Sequence, residues 1–287
     1  MKIGQFSDSF LPIVDGVGRV VYNYATALSR CGEECYVIAP MADTGYRGGY
    51  PFELVDFISR ELPRQKQYST GIPQLDSHYD ARMRDVPLDI VHAHSPFIAG
   101  LEAQRLARRR GIPLIGMFHS RYYDDFYQIM GTEMLANLAV ATIVSFYQRC
   151  DEVWTVSQSS KETLYDYGYV GDVVVMPNGT PDIDPSEARA AKAKEHFNLP
   201  DEPILLYCGQ MNWKKNILRI LESCACYAQS GKPFTLVLAG QGPDVKSIHQ
   251  KVDELGLTDR VRFTGHITAA DELYGPYEHA DLFVFPS

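Results

Sequence analysis

The sequence has 287 residues, 45% hydrophobic and 22% charged, enough chain for one large or two ordinary buried cores. A formal charge of −9, spread over both halves, excludes the broad basic face that nucleic-acid binding needs. The longest apolar run, Met134 to Tyr147, is broken by Asn137 and Thr142 and is too short to cross a bilayer.

Met1 to Ser7 reads as a strand and not as a signal peptide, so a cytoplasmic location is the expectation. Strands are predicted at Lys2–Ser7, Glu34–Ala39, Phe52–Phe57, Asp89–His94, Pro113–His119, Glu152–Val156 and Val173–Met176, then at Ile204–Cys208, Phe234–Ala239, Val261–Thr264 and Leu282–Phe285. Most are short apolar runs without alternation, as in parallel strands covered on both faces. Between them, Val17, Val20, Val21, Tyr24 and Leu28 form one helical stripe, and Ile217, Ile220, Leu221, Cys224 and Ala228 another. Repeated crossovers of this kind build doubly wound α/β sheets. None of the six cysteines stands in a Cys-x-x-Cys pair, and Cys35, Cys208 and Cys224 sit inside apolar patterns, which reads as free thiols in a reducing compartment.

The proline- and glycine-rich segment from Pro177 to Pro185 marks a boundary. Two Rossmann-like domains facing a cleft are expected, residues 1–180 and 181–287, the second incomplete because it ends on its fourth strand without a covering helix. A cluster of Arg105, Arg108, Arg109 and Arg110 reads as a solvated helix end, with an anionic-lipid patch as the weaker alternative.

Three constellations stand at strand ends, where open α/β sheets place their ligands. Asp15-Gly-Val-Gly18 precedes the first helix, and Gly16 there lets backbone amides approach an anion. It is no dinucleotide fingerprint, because the third glycine is missing, the loop is long, and the acidic Glu33 and Glu34 precede the second strand instead of closing it. His92 and His94 lie two apart on one strand and share a face, and His119 ends the next strand, followed by Ser-Arg-Tyr-Tyr-Asp-Asp125. His92 reads as a buried, hydrogen-bonded core residue; a zinc site lacks further ligands, and no metal is expected. Gly209-Gln-Met-Asn-Trp-Lys-Lys-Asn216 places positive charge before a helix, which suits a departing diphosphate, whereas Gly240-Gln-Gly-Pro243 adds only a turn.

Taken in order, these segments resemble retaining glycosyltransferases of family 4. The likeness runs through Ser7 to Pro12, His92-Ala-His-Ser-Pro-Phe97, Met117-Phe-His-Ser120, Val175-Met-Pro-Asn-Gly179, Gly209 with Lys215 and Asn216, Leu238-Ala-Gly-Gln-Gly-Pro243, Arg260 to Gly265 and Ala280 to Ser287. It implies a GT-B fold, a nucleotide-sugar donor with UDP the expected carrier, retention at the anomeric carbon, and no metal or other cofactor. Carried over, His119 would contact the transferred sugar, Lys215 would stabilise the leaving diphosphate, and Gly16, Val17, Gly209, Gln210, Lys214 and Ile267 would line the donor site. Two departures stand out. Gln210 replaces the arginine usual after this glycine, losing a fixed charge and its bidentate fork. The family's paired glutamates would follow Ser287, so little donor turnover is expected of these 287 residues alone.

The segments around His94 and His119 look closest to the branch that glucosylates diacylglycerol. That implies a lipid acceptor near His94, Phe97, Arg121, Tyr122, Tyr123 and Phe126, with peripheral membrane contact; a saccharide acceptor stays open. Two rival classes also stay open at this point. One is a sugar-nucleotide epimerase or hydrolase on a related scaffold, and the other is a non-catalytic nucleotide-binding module.

Overall fold

The computed structural model describes residues 1–10, 16–41, 49–62, 65–180, 183–267 and 269–286. Leu11, Pro12, Asp15, Pro181 and Ser287 of the motifs above lie outside the described residues. The chain forms two compact units, Met1–Pro181 and Asp182–Ser287.

In the first unit the strands are β1 (Lys2–Phe6), β2 (Glu34–Ala39), β3 (Glu53–Asp56), β4 (Arg60–Leu62), β5 (Gln65–Thr70), β6 (Ile90–Ala93), β7 (Leu114–Phe118), β8 (Glu152–Thr155) and β9 (Val174–Val175). The helices are α1 (Gly16–Arg30), α2 (Ser77–Asp85), α3 (Ile98–Arg110), α4 (Tyr122–Met130), α5 (Glu133–Tyr147) and α6 (Gln158–Asp166). Seven strands make one parallel sheet in the order β3-β2-β1-β6-β7-β8-β9. Successive strand residues face opposite sides, so the sheet carries a core on each face. Ile3, Val37, Ala39 and Leu54 pack with Val21 and Ala25 of α1 on one side. On the other side Phe6, Ile38, Val55, Val91 and Ala93 pack with Ala103 of α3 and Phe146 of α5.

The second unit repeats the plan with α7 (Glu187–His196), β10 (Ile204–Cys208), α8 (Ile217–Ala228), β11 (Thr235–Ala239), α9 (Val245–Glu254), β12 (Val261–Gly265), α10 (Ala270–His279) and β13 (Leu282–Phe283). Its parallel sheet runs β12-β11-β10-β13. The predicted α8 stripe is the buried one, since Ile217, Ile220, Leu221 and Cys224 join the core with Leu236 and Leu238. Each predicted strand is present, most of them trimmed at the ends. What the sequence pattern misses is the antiparallel β4–β5 hairpin, because Gln-Lys-Gln-Tyr-Ser-Thr in β5 has no apolar run. The six cysteines are free, with Cys31 and Cys226 exposed and Cys35 and Cys224 buried.

The arginine cluster at the end of α3 is only half solvated. Arg110 donates to the carbonyls of Met83 and Val86 near the end of α2, while Arg108 and Arg109 are exposed. Arg105 holds the fully buried Glu102 through two bonds of 2.7 and 2.6 Å. Glu102 also accepts from Tyr79 Oη at 3.1 Å and Gln74 Nε2 at 2.6 Å, so both carboxylate oxygens are satisfied. Two of the four arginines are therefore structural ties, which corrects the reading of a uniformly solvated helix end and leaves half a patch. Removing Glu102 leaves the buried Tyr79 hydroxyl without its acceptor, whereas exposed Gln74 and half-buried Arg105 can turn to water. Glu102→Ala should lower the unfolding free energy of the first unit by about 1 to 3 kcal/mol, measured by denaturant titration.

Candidate functional site

Parallel strands paired in register end together. In the first unit Phe6 lies opposite Ala93, and Ala93 opposite Gly116, so the residues after β1, β6 and β7 emerge at one sheet edge. Chain order reverses between β1 and β6, which makes this edge the topological switch point of the sheet. Ser7 and Asp8, His94 and Ser95, and His119 meet there.

Asp8 joins this candidate site although sequence reasoning passed over it, its only signal being its place in the Ser7 to Pro12 motif. Its carboxylate accepts from Ser95 Oγ at 2.5 Å and from the Ala99 amide at 2.9 Å, at the N-terminus of α3. The Asp8 amide in turn donates to Ser95 Oγ at 3.2 Å. Burial pushes the Asp8 carboxyl up from its ordinary value, against the lowering pull of the Ser95 hydroxyl and the Ala99 and Ile98 amides. Gly100 lets α3 start this close, since a Cβ there would lie 1.9 Å from the Ser95 carbonyl oxygen.

The three histidines form one buried group. His94 is fully buried, with Nε2 2.6 Å from Gln5 Oε1 and Nδ1 3.1 Å from His119 Nε2. Both of its ring nitrogens are thus committed, and it reaches a ligand only through His119. His92 lies beside it, ring centroids 4.0 Å apart, against Tyr24 and Trp154. Contrary to the hydrogen-bonded core histidine expected, His92 Nε2 is buried with no hydrogen-bond partner among the described residues. Burial holds all three rings neutral: His92 is pushed down to about 3, His119 to about 4, and His94 well below its ordinary value. His119 itself is only partly covered.

Beyond His119, Phe97, Tyr122 and Phe126 pack as one aromatic group, with Phe97–Tyr122 centroids 5.5 Å apart and Tyr122–Phe126 6.1 Å apart. Tyr122 also leans on Phe118 of the core, and burial pushes its phenol well up. Tyr123 stands apart from this group and stacks on Tyr127, while Arg121 is exposed at the start of α4. Gly16 and Val17 open α1. Gly16 is exposed, and among the described residues nothing lies within 4 Å of where its Cβ would be.

The second unit brings its expected residues to one edge by the same rule. Cys208 pairs with Ala239 and Ala239 with Gly265, so the loops bearing Gly209 to Lys215, Gly240 to Asp244, and Gly265 to Ile267 leave the sheet side by side. The segment after β11 does more than turn. Gly240 has φ +138°, and a Cβ on it would meet the Gly209 carbonyl oxygen at 1.9 Å. The Met211 amide donates to Gln241 O at 3.0 Å, the Asp244 amide to Met211 O at 3.1 Å, and the Trp213 amide to Asp244 Oδ2 at 2.9 Å. Trp213 Nε1 is held by Ser247 Oγ at 3.0 Å. The loop after β10 thus rests backbone to backbone on a shelf, and Gly240-Gln-Gly-Pro243 is its support.

On that shelf Trp213–Lys215 winds into a single 3-10 turn, stopped by Asn216 at φ +54°, before α8 begins. Lys214 is exposed and Lys215 half-buried, and among the described residues no carboxylate pairs with the Lys215 ammonium. Gln210 uses its carbonyl to accept from Tyr207 Oη at 2.9 Å, while its residue is exposed. Ile267 packs partly buried against Leu199, Ile204, Leu206, Val237 and Ala239.

Comparison with known families matches residues 14–182 to Glycosyltransferase Family 4 and residues 189–287 to Glycosyl transferases group 1. The chain belongs to glycosyltransferase family 4. It is 25% identical over 297 aligned residues to the alpha-monoglucosyldiacylglycerol synthase of Streptococcus pneumoniae, spanning 100% of this chain and 66% of that protein. It is 27% identical over 296 residues to a GDP-mannose-dependent alpha-mannosyltransferase of Corynebacterium glutamicum, spanning 100% of this chain and 67% of the relative. Among solved structures, Anabaena Alr3699/HepE in complex with UDP and glucose superposes with a TM-score of 0.72 at 18% identity, covering 100% of this chain and 74% of that one. The family member described here therefore has the GT-B architecture that the resemblance implies, built on two parallel sheets.

The neutral histidines of this family member make its stability depend on pH. Unfolded histidines bind a proton near 6.5, whereas His92 and His119 resist it down to about 3 and about 4. The unfolded state thus binds more protons in this window, and stability is full above pH 6.5 and lost as pH falls. Each ring contributes a slope of up to about 1.4 kcal/mol per pH unit. Denaturant unfolding read from Trp154, with Trp213→Phe to silence the second unit, should show this decline between pH 7 and 4.5, and His92→Phe should make it shallower by one ring's share.

Proposed function

We propose that this chain serves the transfer of a hexose from a UDP-sugar to a lipid acceptor, with retention at the anomeric carbon. The observation that carries the reading is Lys215. Its residue closes the 3-10 turn that follows the glycine-bearing loop at the sheet edge of the second unit, just before α8, and among the described residues no carboxylate pairs with its ammonium. A cation held this way suits the charge that grows on a diphosphate as the bond to the sugar breaks. Lys215 and Lys214 take the neutralising role, so the reaction calls for no metal. Gln210 adds a neutral amide, Gly209 an approachable backbone, and Ile267 an apolar wall. In the first unit Gly16 and Val17 turn the amides of the α1 N-terminus toward the donor diphosphate, and His119 bonds a hydroxyl of the transferred sugar.

The lipid acceptor is supported by the apolar surface next to His119. Phe97, Tyr122 and Phe126 form an aromatic group, while Arg121 and Tyr123 open α4 and Tyr123 stacks on Tyr127. It continues into the turn between α4 and α5, where Tyr127, Ile129, Met130, Met134, Leu135 and Leu138 are all exposed, Met134 by 76% and Leu138 by 65%. The name of the pneumococcal relative agrees with an acylglycerol acceptor. Among the described residues no helix is long and apolar enough to cross a membrane, and the contact we propose is peripheral. Asp124, Asp125 and Glu133 flank the turn, so insertion of apolar side chains, not attraction to anionic head groups, drives it.

Calorimetry should find UDP binding that survives a chelator and exceeds GDP and ADP binding. Lys215→Ala should weaken it by about tenfold, the worth of one charge-assisted hydrogen bond; no binding of any nucleoside diphosphate would overturn the donor reading. In co-sedimentation, phosphatidylcholine vesicles containing diacylglycerol should retain the chain, and Met134→Asp should release it by about tenfold or more. Failure to bind any vesicle would leave a soluble saccharide as the acceptor.

A further inference from the structure

We infer that Gln5 and His94 are positioning residues that set which ring nitrogen of His119 carries its proton. The inference starts from an accounting of hydrogens. Gln5 is 1% exposed on β1 and His94 is fully buried just past β6, so neither can turn to water for a partner. A neutral imidazole has one donor nitrogen and one acceptor nitrogen. Gln5 Oε1 can only accept, so at 2.6 Å it receives the proton of His94 Nε2. His94 Nδ1 is then bare, and the 3.1 Å contact to His119 closes only if His119 Nε2 is the donor. His119 therefore holds its proton on Nε2, inside the relay, and presents Nδ1 as a lone pair.

The backbone keeps the relay from slipping. The His94 amide donates to the Phe6 carbonyl at 2.8 Å, and Gln5 lies opposite His92 in the β1–β6 register. The His94 and His119 rings are nearly parallel, interplanar angle 17°, which lines up the bonded edges. Burial keeps these rings neutral, so the single proton on each is the one that counts. The alternative arrangement needs the Gln5 amide reversed and every proton in the relay moved, after which His119 would present a donor on Nδ1.

The consequence rests on the reading of His119 as the group that meets the sugar. A lone pair on Nδ1 accepts a hydroxyl proton from the sugar, and a site organised this way favours a ring bearing a hydroxyl over one with an ether or a deoxy carbon there. A side chain twenty or more residues distant in sequence and never in contact with substrate would thus decide the polarity of the contact.

Long-range nitrogen–proton correlation spectra of the full chain, with ring-labelled histidine, read the tautomers directly at neutral pH. We expect the Nε2–H form to dominate at His94 and His119 by roughly tenfold, the bias an ordinary hydrogen bond supplies. Gln5→Met keeps the volume and removes the acceptor, and it should bring the ratio at His119 below about twofold. An Nδ1–H form at His119 in the unsubstituted chain would overturn the inference, and needs no variant to fold; so would an unchanged ratio in a folded Gln5→Met. These spectra are independent of donor binding. A chain with the expected tautomers that binds no nucleotide would refute the transferase reading and leave the relay standing.

Discussion

Everything chemical in this protein depends on parallel strands that end in register. A parallel strand pair has both carboxyl ends on one side, so whatever follows each strand is delivered to a common edge. In the first unit this rule carries Asp8, His94 and His119 together from positions more than a hundred residues apart at the extremes. In the second it lays Gly209, Gly240 and Gly265 next to one another. A register slip of one residue would turn each of these groups to the opposite face. The apolar runs that set register are therefore as much part of the site as its polar atoms.

The two edges solve different physical problems. The first is a low-dielectric pocket in which polar groups survive by bonding to each other: carboxylate to helix amides, imidazole to imidazole, imidazole to amide. The second is a backbone platform, where two glycine-bearing loops touch main chain to main chain and carry two lysines in the turn that follows. One arrangement suits directional contact with hydroxyl groups, the other suits diffuse negative charge.

Strand positions and the doubly wound class were legible in the sequence because buried parallel strands leave uninterrupted apolar runs, and Ile204 to Cys208 is a plain case. The buried faces of α1 and α8 were legible for the matching reason of helical spacing. Polar β5 was not, since backbone pairing alone makes it a strand. At the site, the residue types of His92, His94, His119, Lys214 and Lys215 drew attention, but their partners did not. Gln5 looks like one polar residue in an apolar strand, Asp8 like a loop acid, and Gly240 like a turn. Each owes its meaning to an atom contributed from far along the chain, at Ser95, His94 or Gly209, and no local pattern records such a pairing. The same holds for Arg105 and Arg110, whose charge is spent on Glu102 and on carbonyls of α2.

The exposed sulfurs have a practical use. Cys31 closes the turn after α1 and Cys226 lies on the outer side of α8, one in each unit, whereas burial pushes the thiols of Cys35, Cys150, Cys208 and Cys224 up and makes them poor nucleophiles. A maleimide dye or spin label applied to the native chain would attach at these two positions first. The protein thus comes supplied with a matched pair of reporter handles, and distance spectroscopy between its halves can begin without engineering a single new residue.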